Sequence, residues 1–174
     1  DPQKINYNGP AKSDASIEMA ISRGIRLLNI NHIEELDRFA KIARQLGKKA
    51  NIAIRLIFAK GWSGQFGLGA DTGEALAAYR KALTMPEINV IGVHCHRGVL
   101  FEGLGDMASY LQEIKDFLDI LYGELDFHPE ILDVGGSIGI PTVRPFSGVD
   151  KKLSETFRVE VREPEPNNNT TLEA

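Results

Sequence analysis

Apolar residues in this chain recur in two rhythms that take turns along its length. Short, nearly continuous apolar runs at Lys4–Tyr7, Arg26–Ile30, Ala50–Ile57, Ile88 into His94, and Ile131–Val134 have the length and β-branched content of buried strands. The segments between them place apolar residues three and four apart, as a helix with one buried face does. Ile17, Ala20 and Ile21 form the first such set, and Leu36, Phe39, Ala40, Ala43 and Leu46 the second. Further helices are predicted over Glu74–Leu83 and from about Asp106 to Tyr122. Ser13 or Asp14 caps the first helix and Gly24 closes it. Asn31, with Glu34 three residues on, reads as a capping box for the second, which stops at Gly47. Thr72 reads as the cap of the third, which ends before Pro86.

Five strands alternating with helices predict an α/β fold with a parallel sheet and right-handed crossovers. No Gly-x-Gly-x-x-Gly follows the first strand, so a dinucleotide-type sheet has no fingerprint here. A (β/α)8 TIM-type barrel or another open α/β sheet remains. A full barrel takes roughly 250 residues, so about five βα units make part of one. Residues 1–157 are assigned to this partial barrel and 158–174 to a linker. The linker carries Glu163-Pro164-Glu165-Pro166, then a helix start at Thr170–Glu173. The opening Asp1-Pro2-Gln3 runs almost directly into an apolar stretch and reads as a chain entered partway. The glycine-rich loop from Phe58 to Thr72 is long enough to suggest a functional or mobile segment.

Composition narrows the class. Hydrophobic residues make up 43% and charged residues 25%, ordinary for a globular domain. A net charge of −4 with no basic run argues against a nucleic-acid surface. No apolar run approaches the roughly 20 residues that cross a bilayer. One cysteine excludes an internal disulfide framework and suits a reducing, cytoplasmic compartment.

The candidate chemistry gathers where strands end. His94 and His96, two apart on a strand, point to one face, and Cys95 points to the other. His96 at the strand's end is suited to stack on a flat heteroaromatic ring or to move protons near neutral pH; the plainer reading is a satisfied polar residue. His94 and His96 could instead chelate a metal with Asp133 as a third ligand. Gly135-Gly136-Ser137-Ile138-Gly139 follows the fifth strand and could offer backbone N–H groups to an anion, although glycine pairs also make plain turns. Arg55, at a strand end in the same layer, would meet a phosphate or phenolate oxygen or else pair with a carboxylate. Lys12 and Lys60 fall in loops, away from mid-strand positions where a desolvated nucleophilic lysine is expected.

These segments resemble a family. The collinear series Asn8-Gly9-Pro10-Ala11-Lys12-Ser13-Asp14, Leu28-Asn29-Ile30 with Glu34-Glu35-Leu36, Arg55, Gln65-Phe66-Gly67, Gly92-Val93-His94-Cys95-His96-Arg97-Gly98 and Leu132-Asp133-Val134-Gly135-Gly136-Ser137 is similar to fold-type III pyridoxal-phosphate enzymes. The diaminopimelate and ornithine decarboxylase group is the nearest likeness, over roughly Lys4 to Phe146. The resemblance implies an alanine racemase-like cofactor barrel. In it His96 stacks on the pyridoxal 5'-phosphate ring, Gly135, Gly136 and Ser137 hold the phosphate, and Arg55 lies near the cofactor. It implies α-decarboxylation of an amino acid, a small-molecule substrate, by a complete enzyme that is a homodimer.

Two departures stand out. His96-Arg97-Gly98-Val99 replaces the family's His-Ile-Gly-Ser, which removes a hydroxyl. The cofactor-bonding lysine, the family's Glu-Pro-Gly-Arg segment and its β domain find no match here. The expectation is therefore the barrel portion of a pyridoxal-phosphate-dependent amino-acid decarboxylase, inactive as this chain alone and inclined to self-associate or bind a complementing fragment. The alternatives are a non-catalytic half-barrel that binds phosphate or a partner subunit, and a metal-dependent barrel enzyme using His94 and His96.

Overall fold

A computed structural model describes residues 1–59, 66–97, 104–136, 152 and 155–157. The chain divides into two units: residues 1–97 with 113–135, and residues 98–112 with 136–174. The first unit carries the sheet. The second contains the opening turns of the last helix. The predicted linker and helix start at 158–174 lie outside the described residues, as do Lys60, Gln65, Gly98, Val99 and Ser137.

Among the described residues, a short 3-10 turn at Pro2–Lys4 precedes β1 (Asn6–Tyr7), α1 (Asp14–Ser22), β2 (Leu27–Ile30), α2 (Glu34–Gln45) and β3 (Ala50–Ile57). β4 (Leu68–Gly69), α3 (Glu74–Leu83), β5 (Ile88–Cys95), α4 (Leu104–Leu125) and β6 (Ile131–Asp133) follow. The five predicted strands are present, all parallel, in the order β1-β2-β3-β5-β6. Each strand in that path lies beside the one before it, with no reversal of order. That is how a (β/α)8 barrel is wound, whereas a doubly wound sheet reverses at a switch point. β4 was not anticipated. It pairs with Leu56 and Ile57, past the point where β2 leaves β3.

Local chemistry explains the boundaries. The Ser13 hydroxyl accepts the Ser16 N–H at 3.2 Å, and α1 buries Ile17, Ala20 and Ile21 as the spacing requires. Gly24 and Gly47 take φ of +67° and +61° after their helices, where a side chain would be strained. Two predicted caps are corrected. α2 begins after Ile33 with no side-chain cap, because the Asn31 amide is engaged elsewhere. α3 begins after Gly73 at φ +81°, and the Thr72 hydroxyl instead donates to the Gly69 carbonyl.

The sheet's two faces are distinct. Leu28, Ile30, Ile52, Ile54, Leu56, Val93 and Cys95 are buried, on the face away from Arg55 and His94. Leu27, Ala53 and Ile91 cluster on the opposite face, with Ile131 packed against them. Registration between β3 and β5 changes partway. Ile52 pairs with Val90 but Ala53 pairs with Gly92, so Ile91 is an extra residue, a β-bulge. Its carbonyl is not wasted, because it accepts the Glu130 N–H at 2.9 Å. Gly92 has no room for a side chain: a Cβ there would sit 3.1 Å from the Ala53 Cβ. Its carbonyl accepts the hydroxyl of buried Tyr79 at 3.0 Å.

Candidate functional site

The bulge sets the site. Beyond it Arg55 pairs with His94, and His94 with Asp133, so three polar side chains from β3, β5 and β6 form one row across adjacent strands. The row lies at the carboxyl ends of parallel strands, on the face that also carries Leu27, Ala53 and Ile91. Barrel enzymes place their chemistry at that end.

His94 is 4% exposed, and its Nδ1 lies 3.1 Å from the Asp133 Oδ2, too poorly aligned for a hydrogen bond. Burial lowers its pKa most, Asp133 pulls it back, and Arg55 pushes it down again. The ring is therefore neutral at pH 7, with both nitrogens unbonded among the described residues. Asn29, fully buried in β2, likewise leaves its side-chain oxygen and nitrogen without partners. Asn29 pairs with Ala53, so it projects from the same face.

His96 lies just past β5 and is half-buried. Burial first, and then Arg55, hold its pKa below the ordinary value, and Asp133 partly offsets them. Gly135 packs against it. A Cβ on Gly135 would fall 2.6 Å from both the His96 Nδ1 and the Cys95 carbonyl, and its φ of +81° also excludes ordinary side chains. Its N–H donates to the Asp133 Oδ1 at 3.0 Å. Asp133 thus ties the glycine turn to the histidine strand. The Gly135 N–H is committed inside the protein, so Gly135 serves this turn as spacer and close contact. Gly136 is exposed and falls in the second unit, and Ser137 lies outside the described residues.

Arg55 donates from Nη1 to the Asn31 Oδ1 at 3.4 Å, and its guanidinium carbon lies 5.7 Å from the centre of the Phe66 ring. Lys12 lies in a loop, as expected, yet it is desolvated there. Its side chain is fully buried and donates to the Glu35 Oε1 at 3.0 Å and the Gly9 carbonyl at 2.6 Å. Burial lowers its pKa, against the upward pull of Glu35. Glu35 stands in the series that carries the resemblance but was given no role, although its burial was readable: it precedes Leu36 and lies four residues before Phe39 on the apolar face of α2.

Cys95 is fully buried, and burial pushes its thiol pKa far up, so it is inert. Among the described residues no three His, Cys, Asp or Glu side chains gather in a way that could hold a metal ion. No helix of these residues is long and apolar enough to cross a membrane.

A family described as the pyridoxal-binding domain of pyridoxal-dependent decarboxylases matches residues 1–171. The chain belongs to this family. It is 34% identical to a diaminopimelate decarboxylase of Methanocaldococcus jannaschii over 152 residues, covering 80% of this chain and 34% of that protein. A diaminopimelate decarboxylase of Neisseria meningitidis is 31% identical over 92% of this chain and 43% of its own length. The crystal structure of the M. jannaschii decarboxylase superposes with a TM-score of 0.75 at 27% identity, over 94% of this chain and 42% of that one. Clostridium difficile alanine racemase, at 19% identity, shares the fold with a TM-score of 0.59. The expected partial barrel of the alanine racemase type is what the chain forms. It spans less than half the length of these relatives. Pyridoxal as the family's cofactor agrees with the expectation drawn from the resemblance. The site fits such a group: buried, unbonded polar atoms of His94 and Asn29 line the same sheet face as Arg55, which supplies a positive charge.

Proposed function

We propose that this chain is the cofactor-holding barrel portion of a pyridoxal-phosphate-dependent amino-acid decarboxylase. The observation that carries the reading is the row Arg55–His94–Asp133 with His96 and Gly135 beside it, at the strand ends of a pyridoxal-binding-family barrel.

The cofactor, when bound, supplies an electron sink for the carbanion left by decarboxylation. The chain's own residues prepare the place for it. His96 is kept neutral by burial and by Arg55, so it offers a flat ring face without adding a second positive charge. Arg55 supplies that charge to an anionic oxygen. The resemblance gives the phosphate to Gly135, Gly136 and Ser137, and of these Gly135 donates its N–H to Asp133. Leu27, Ala53, Ile91 and Ile131 form an apolar floor that keeps water from beneath the polar row. The substrate is a small molecule, an amino acid that loses its α-carboxylate, and diaminopimelate is the first to try, because the relatives above bear that name. The same reading makes the parent enzyme a cytoplasmic homodimer, supported by the resemblance and by a single, buried cysteine.

Titration of the chain with pyridoxal phosphate, followed by cofactor absorbance, tests this. Saturable binding is expected, weakened about tenfold by Arg55→Met or His96→Ala, with exposed Lys49→Ala as the unchanged control. Absence of saturable binding, or equal loss in all three variants, defeats the proposal.

A further inference from the structure

Asn31 is fully buried and joins five segments. Its backbone N–H donates to the Glu35 Oε2 at 2.6 Å, and its carbonyl accepts the Gly67 N–H at 3.0 Å. Its side-chain Nδ2 donates to the Gly9 carbonyl at 3.0 Å and the Asn29 carbonyl at 3.3 Å. Its Oδ1 accepts from Arg55. The amide cannot be turned round, because Gly9 and Asn29 present oxygens that only accept. Two donors are thereby committed to backbone, and the oxygen is committed to the guanidinium.

Beneath it lies the buried ion pair. Glu35 divides its carboxylate between Lys12 and the Asn31 N–H, while Lys12 shares the Gly9 carbonyl with Asn31. The ends of β1, β2 and α2 are thus locked around one side chain. On its far side Arg55 is bounded by the Phe66 ring and by Gly67. A Cβ on Gly67 would lie 3.2 Å from the Arg55 Cγ, and Gly67 takes φ of +109°. A pair serving stability alone would require none of this convergence on a strand-end arginine.

We propose that Asn31, anchored by the Lys12–Glu35 pair, is the positioning residue that aims the Arg55 guanidinium into the cofactor site. This rests on the reading of Arg55 given above. Asn31 itself touches no reacting atom. It gives an acceptor of fixed direction to a cation that Phe66 and Gly67 bound on the other side.

Side-chain nitrogen NMR of the full chain tests the proposal without turnover, with the Arg55 signal assigned by its loss in Arg55→Lys. Asn31→Ala keeps both backbone hydrogen bonds, so the local frame retains its anchors. Rotation of the Arg55 guanidinium is expected to quicken about tenfold in Asn31→Ala and to stay slow in Asn31→Asp, which still offers Arg55 an acceptor although it gives up the bonds to Gly9 and Asn29. Glu35→Gln, which leaves Asn31 in place, should give an intermediate increase. Pyridoxal phosphate affinity should fall about tenfold in Asn31→Ala, and no further when Asn31→Ala is added to Arg55→Met. An Arg55 signal unchanged in both Asn31→Ala and Glu35→Gln overturns the inference. So does an Asn31→Ala loss of affinity that persists in full without Arg55. If Arg55 is freed while affinity is unchanged, the positioning role stands and the assignment of Arg55 to the cofactor falls.

Discussion

Replacing Glu35 by Gln removes one charge from the interior and one of two acceptor oxygens in use there. The two side chains have nearly the same volume, so no cavity opens. What disappears is the countercharge of fully buried Lys12 and one acceptor, since the single amide oxygen can serve Lys12 or the Asn31 N–H but not both. The cost has a lower guide and an upper bound. Breaking a buried pair by removing one partner costs about 3 kcal/mol or more. The upper bound comes from the protein's escape route, which is to release the lysine proton. From the ordinary value of 10.5, neutralising Lys12 at pH 7 costs about 5 kcal/mol at 1.36 kcal/mol per unit. The expected loss at pH 7 is therefore about 3 to 5 kcal/mol. By pH 9 the bound falls to about 2 kcal/mol. Burial holds Lys12 below its ordinary value in the folded protein, so the folded state of the variant releases this proton before the unfolded state does. Its stability relative to the parent should recover as pH rises toward 10.5. Urea unfolding followed by circular dichroism at pH 7 and pH 9 measures both quantities. A loss below about 1 kcal/mol at pH 7, or one that does not shrink at pH 9, would refute this account of the pair.

Gly135→Ala drives a methyl group into the Cys95 carbonyl and the His96 ring and forces alanine into a left-handed conformation. It should cost about 1 to 3 kcal/mol and weaken pyridoxal phosphate binding more than tenfold (roughly 1.4 kcal/mol,); unchanged affinity in a stable variant would contradict the close packing. His94 and His96 both have pKa values lowered in the folded state, so unfolded chains take up protons first as pH falls below 6.5. The stability they contribute is present above that pH and is lost as pH falls through their folded values. A His94→Gln/His96→Gln variant should show a flatter stability profile over pH 4.5–7 than the parent, and an equally steep one would rule the histidines out as its source.

Much of this arrangement was legible in residue order because it depends on local rules. Ser13, Ile17, Ala20, Ile21 and Gly24 behave as spacing and capping require, and the alternation of strands and helices leads directly to a parallel sheet. Arg55, His94, His96 and Asp133 could be picked out because charged or titratable groups at the ends of apolar strands are conspicuous. What stayed hidden depends on contacts distant in sequence. Asn31 looks like a helix cap, but its amide instead reaches the Gly9 carbonyl and the Arg55 guanidinium. The burial of loop residue Lys12 stayed hidden because its partner Glu35 lies 23 residues away on α2. The Gly135 N–H looked available to an anion until Asp133, two residues back, was seen to hold it.

The bulge at Ile91 works as a change of reading frame in space. Counting straight along the ladder from Ala50 and Ile88 would set Arg55 opposite Val93 and leave His94 opposite Leu56, with the side chains that look away from the site. One surplus residue exchanges the two faces for everything that follows it on β5. Loss of a single codon after the bulge, at Val93, would turn His94 away from the site and set Cys95 opposite Arg55, without substituting any site residue. In a lineage of such barrels, the site can be lost by a change in length where no site residue has been substituted.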